Sequence, residues 1–157
     1  MKSASRKRFF SYTDTISLIL LVSVVLLTSA CSTPDNKVFK QRAQIIAEKL
    51  IKDLAEQKYA DSIQYYDKIF FERISPAAWQ KSLAKVGEKL GTYQSHKITA
   101  SSVQHGFSTR STATTVLVYR IYFKKSYTIQ KFTFMSDEKA DKMRLVGHYV
   151  DFPEQPK

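Results

Sequence analysis

The sequence predicts an α+β domain in which three N-terminal helices pack on a curved antiparallel sheet of about four strands. Three observations carry that expectation. Up to Leu90 apolar residues recur at three- and four-residue steps; after Gly91 the period shortens to two, in runs rich in Thr, Val, Tyr, Ile and Phe. Helices come first and strands after them, without the alternation a parallel sheet requires. A length of 157 residues gives one domain and a short appendage, and 43% hydrophobic residues exclude a disordered chain.

The first helix follows from Phe39, Ala43, Ile46, Leu50 and Leu54, with Lys49, Lys52, Asp53 and Glu56 off that line. A break is expected near Gln57, then a second helix with Tyr59, Ile63, Tyr66 and Phe70 on its stripe. Ser75-Pro76 is a helix start, since Ser can cap and Pro loses no needed donor in the first turn. Trp79, Leu83, Val86 and Leu90 continue the third helix, and Gly91 stands where a left-handed cap is expected. Strands are expected at residues 93–104, 114–123, 127–135 and 143–151. Lys124-Lys125-Ser126 makes a hairpin, and the charged residues 137–142 connect the last pair. Leu117, Tyr119, Ile121 and Phe123 form one strand face, and Phe132 and Phe134 the apolar pair of the next. The domain is expected over residues 39–152, with 153–157 as a tail.

Residues 1–30 read as an export signal. Lys2, Arg6, Lys7 and Arg8 precede an apolar run, residues 16–27, that closes on Thr28, Ser29 and Ala30. Fifteen residues from Ile16 to Ala30 fall short of the ~20 a membrane-spanning helix needs. Cys31 is the single cysteine, so it forms no disulfide within the chain, and an odd cysteine in an exported protein is reactive, intermolecular or modified. Leu27-Thr28-Ser29-Ala30-Cys31 resembles the signal of bacterial lipoproteins, although Thr28 occupies a position where Leu is commoner. The resemblance implies cleavage between Ala30 and Cys31, a diacylglyceryl group on the Cys31 sulfur, and a cell-membrane or outer-membrane anchor facing the periplasm or cell exterior. The two or three acyl chains of a lipoprotein make such an anchor stable where one would not. Ser32 resembles the outer-membrane sorting pattern. Residues 31–38 would then be lipidated cysteine and flexible tether. An ordinary secretory signal ending in Thr28-Ser29-Ala30 is the competing reading; it would leave a free thiol at the new N-terminus.

The landmarks of the remaining chain are Lys58-Tyr59-Ala60, then Ile74-Ser75-Pro76, Trp79, Leu90-Gly91 and Leu145-Val146-Gly147-His148-Tyr149. In this order they resemble the bacterial domain-of-unknown-function 4019 family, within the nuclear transport factor 2-like or cystatin-like group. The resemblance implies a cone: a sheet wrapped around a long helix and open over a pocket. Relatives of that shape include isomerases, dehydratases, secretion-machine subunits and binding modules, so shape alone does not select an activity.

Chemistry-bearing residues are few. His96, His105 and His148 show no metal-binding spacing, and no metal or cofactor is expected. No serine-nucleophile motif is present. His148 is the sharpest candidate for a pocket, with Trp79 and Tyr149 as companions and Asp53, Asp61 or Asp67 as a potential acid–base partner. Charge is the other feature: 25 Lys and Arg oppose 14 Asp and Glu, a net +11. The first thirty residues hold four of the cations and one acid, Asp14, leaving 21 against 13, or +8. Arg120, Lys124, Lys125 and Lys131 predict a basic patch for anionic lipid head groups, cell-wall polymers or an acidic envelope protein. Nucleic acid is not expected, since no binding motif accompanies the charge. Two readings follow: a membrane-anchored, non-enzymatic binding or adaptor module of the cell envelope, or a pocket enzyme of isomerase or dehydratase type with His148 as acid or base.

Overall fold

A computed structural model describes residues 34–106, 112–137 and 143–153. The expected signal peptide, with Ala30 and Cys31, and the expected tail from residue 154 lie outside the described residues. The α+β expectation holds: three helices and a four-stranded antiparallel sheet.

Helix α1, Pro34–Ala55, begins five residues before its expected start. Residues 34–38, expected as tether, are therefore helical. The signal lies in Thr33-Pro34-Asp35, where Pro suits the first turn and an acid favours the helix N-terminus. At the other end Gln57 takes a positive φ of 59°, the Gln57 N–H donates to the Leu54 carbonyl and the Lys58 N–H to that of Asp53. This paired closure usually uses glycine at the left-handed position.

The expected second helix is broken. One α turn, α2, Tyr59–Ser62, runs into a 3-10 turn, Ile63–Tyr65, and a second 3-10 turn follows at Phe70–Glu72. Aromatic and β-branched residues have modest helix propensity, and Tyr66, with an extended ψ of 140°, leaves the helix to pair with the sheet. Helix α3, Pro76–Leu90, starts as expected: the Ser75 hydroxyl accepts from the Ala78 N–H at 3.2 Å. Gly91 ends it with φ 83° but ψ −160°, so its backbone is glycine-favouring without being left-handed helical.

Strands β1 (Tyr93–His105), β2 (Thr112–Phe123), β3 (Tyr127–Asp137) and β4 (Met143–Asp151) pair in sequence order. The hairpin closes with the Phe123 N–H on the Ser126 carbonyl. Period-two alternation sends Leu117, Tyr119, Ile121, Phe132, Phe134 and Leu145 to one face, where they bury against Ala43, Ala47, Leu50 and Ile51 of α1. Each large apolar side chain buried there contributes about 1.5–3 kcal/mol. Register places Lys97, Arg120, Tyr122, Tyr127, Lys131 and Tyr149 on the opposite face. No described helix is long and apolar enough to cross a membrane.

Candidate functional site

The site grows from the edge of the sheet. β4 pairs with β3 on one side only, and its other side meets the irregular segment after α2 at a single point. There Tyr66 bridges Leu145, the Asp67 N–H donates to the Leu145 carbonyl at 2.8 Å, and the Asp67 carboxylate stands 3.6 Å from Arg144. Just beyond, the strand is bulged: Thr133 faces Gly147 and Phe134 faces Leu145, leaving Val146 as the extra residue. The bulge breaks the regular alternation that would put His148 beside Val146, and His148 instead pairs with Phe132 on the helix-facing side.

Between this bulged edge and the chain leading into α3 runs a groove of about 570 Å³. Phe70, Arg73 and Trp79 form one wall, and Lys131, His148 and Tyr149 stand on the other. The structure thus brings His148, Trp79 and Tyr149 together. Tyr149 is 59% exposed at the rim, while His148 is only 9% exposed at the base.

The hydrogen bonds of His148 define its state. The Gln130 Nε2 donates to the Thr128 hydroxyl at 3.2 Å, so its Oε1 faces His148 and accepts from Nε2–H at 2.9 Å. Nδ1 then carries a lone pair and accepts from the Tyr66 hydroxyl at 2.7 Å. Both ring nitrogens are spent on neutral partners, and burial pulls the pKa down to about 3. Burial likewise pushes the Tyr66 hydroxyl above its ordinary value, an effect the nearby Trp79 indole slightly offsets. Phe132 (4.4 Å between ring centroids), Trp79 (5.3 Å) and Tyr66 (6.0 Å) enclose the imidazole. The buried Trp79 Nε1 has no partner with hydrogen-bond geometry. The site is therefore an aromatic base with a buried histidine under a charged rim that carries Glu72, Arg73 and Lys131.

The acid–base partners expected for His148 are elsewhere. Asp53 accepts the Tyr65 hydroxyl at 2.7 Å, Asp67 serves Arg144 and the Ile69 N–H, and Asp61 is exposed. Of the residues expected in the basic patch, Arg120 lies over the Tyr127 ring and Lys131 over Tyr149 on one sheet face, and Lys124 and Lys125 occupy the turn of the same hairpin beside Gly91.

Sequence reasoning gave neither Tyr66 nor Gln130 as a partner of His148, from which they lie 82 and 18 residues away with no local pattern to mark the pairing. It also missed a second polar cluster at the β1 edge. There the Tyr93 hydroxyl meets His96 Nδ1 at 2.6 Å, His96 Nε2 meets a Glu48 oxygen at 2.5 Å, and the Tyr119 hydroxyl donates to the other Glu48 oxygen at 3.1 Å. No group of three or more His, Cys, Asp or Glu among the described residues could hold a metal ion. The chain matches no protein-family model and no curated protein.

Proposed function

We propose that this protein is a lipid-anchored, non-enzymatic binding module of the cell envelope, and that the groove at the β4 edge receives a segment of its partner. The groove carries the reading: it pairs an aromatic base with a charged rim, the usual composition of a recognition site. An extended segment suits a sheet edge, where backbone groups not used within the sheet can pair with an added strand. The chemistry of His148 agrees. An acid–base role would require it to release Tyr66 or Gln130 before exchanging a proton with a ligand, whereas a positioning role uses the bonds as they stand. Anchoring rests on the resemblance of Leu27–Cys31 to a lipoprotein signal and implies the 4019-type domain is held close to a membrane, because only Ser32 and Thr33 separate Cys31 from Pro34.

Two measurements test the two halves of this reading. Mass spectrometry of the mature N-terminus is expected to find Cys31 as the first residue with a thioether-linked diacylglycerol; an unmodified Cys31 or another start sinks the anchor. A photo-crosslinking residue at Tyr149 is expected to give a discrete protein adduct in intact cells that the same residue at Lys85 on α3 does not. Recovery of the chain alone from both positions counts against the groove.

A further inference from the structure

We propose that Lys97, Arg120 and Tyr122, on the sheet face turned away from the α1 core, form a binding site for a phosphate group. This goes beyond the groove reading and does not depend on it. Lys97 and Arg120 stand directly opposite each other in the β1–β2 register. Like charges so placed, about 5 Å apart between Cβ atoms, repel and weaken a sheet unless something neutralises them. Among the described residues neither has a carboxylate at ion-pair distance. The nearest acid in register is Asp151, two strands from Arg120 with Ile129 between.

The surroundings hold the two cations in place for a ligand. The Arg120 guanidinium lies 4.9 Å from the centre of the Tyr127 ring, and its Nε is buried with no acceptor. The Lys97 ammonium lies 5.9 Å from the centre of the Tyr122 ring. Tyr122 and Tyr127 pack with their rings tilted by 45° and their centroids 6.2 Å apart, so one ring pair supports both charges. Desolvation alone would push the pKa of the Tyr122 hydroxyl up, but the donors and charges of Arg120 and Lys97 outweigh it and bring the pKa below its ordinary value. Tyr122 stands two residues along β2 from Arg120, on the same face, with the Lys97 ammonium over its ring. A guanidinium fork, an ammonium and a hydroxyl donor side by side on one face suit a tetrahedral dianion, whose charge cancels that of the pair. Lys124 and Lys125, exposed at the adjoining hairpin turn, add attraction without direct contact.

A phosphate ester can come from a soluble metabolite or polymer, or from a phospholipid head group. The site is remote from the start of α1: Asn36 bonds His105 at the far end of β1, eight residues from Lys97, a run of about 26 Å.

The test uses the purified full-length chain in nonionic detergent with tyrosine ring carbons isotopically labelled, and follows the Tyr122 signal by NMR. Inorganic phosphate, glycerol phosphate and short-chain phosphatidylglycerol are each expected to move that signal saturably. K97Q and R120Q are expected to weaken the effect about tenfold each, the loss of one charge-assisted contact, while K81Q and K85Q on α3 leave it within about twofold. Phosphatidylglycerol binding at least about tenfold tighter than glycerol phosphate assigns the site to a membrane head group, and the reverse order to a soluble ester. The proposal is overturned if no probe saturates, if K81Q and K85Q weaken binding as much as K97Q, or if a phosphate-free oligoglutamate binds as tightly as the phosphate probes.

Discussion

His148 and His96 stand at opposite edges of one sheet and solve opposite problems. His148, on β4, is sealed among rings and bonded to two neutral groups, the Tyr66 hydroxyl and the Gln130 carboxamide. His96, on β1, keeps 22% of its side chain exposed and bonds a tyrosine hydroxyl on one nitrogen and the Glu48 carboxylate on the other. Both tie the sheet to the helical half of the chain. The difference is solvent: where water is absent the ring must be neutral and fully bonded, and where water remains a carboxylate can serve as its partner.

The comparison breaks most visibly under truncation. His148→Ala strands the Tyr66 hydroxyl and the Gln130 carboxamide in a buried site and leaves a void, an expected loss of about 4 kcal/mol in a urea titration. His96→Ala, with water able to replace the ring, is expected to lose only about 1 kcal/mol. Equal losses would show that the two edges are energetically alike.

Acid should separate them next. The folded pKa of His148, about 3, lies below its unfolded value of about 6.5, so the unfolded chain binds more protons between those limits. Its contribution is fully present above pH 6.5 and is lost as pH falls toward 3. Between pH 6.5 and 4 the loss is expected to be on the order of 3 kcal/mol, measured as the urea midpoint against pH. His148→Gln cannot take up a proton in this range and is expected to flatten that slope. A slope unchanged in the variant would assign the acid sensitivity elsewhere.

The smallest effect lies outside both edges. Gln57→Gly relieves a non-glycine residue at φ 59° and is expected to raise stability by about 0.5–1 kcal/mol, leaving the pH profile untouched. A destabilised variant would mean that the Gln57 side chain does more than close the helix.

Much of this architecture was legible from periodicity. The strand alternation of Leu117, Tyr119 and Ile121 and of Phe132 and Phe134 matches their burial, and Ser75-Pro76 marks the start of α3. Helix signals failed where tertiary pairing competes: the stripe through Tyr59, Ile63, Tyr66 and Phe70 has helical spacing, yet Tyr66 is drawn out of a helix by Leu145 and His148. The groove was legible only as three candidate residues, because the bulge at Val146 that orients His148 leaves no local mark beyond Gly147. An added Cβ at Gly147 would approach the Thr133 Cβ to 3.2 Å. Tyr66, Gln130, Glu48 and Tyr93 have roles set by contacts across the fold, and spacing along the chain carries no information about those.

The aromatic wall of the groove has an optical consequence. Trp79 is the single tryptophan among nine tyrosines and ten phenylalanines, and it stands edge-on to His148 at 5.3 Å. Indole absorbs and emits to the red of phenol, so excitation at the long-wavelength edge of the protein band addresses this one ring. Its emission colour follows the polarity around it, and any occupant of the groove that displaces water from Trp79 alters that colour. The protein therefore carries its own lamp at the place where binding is proposed, with no label attached.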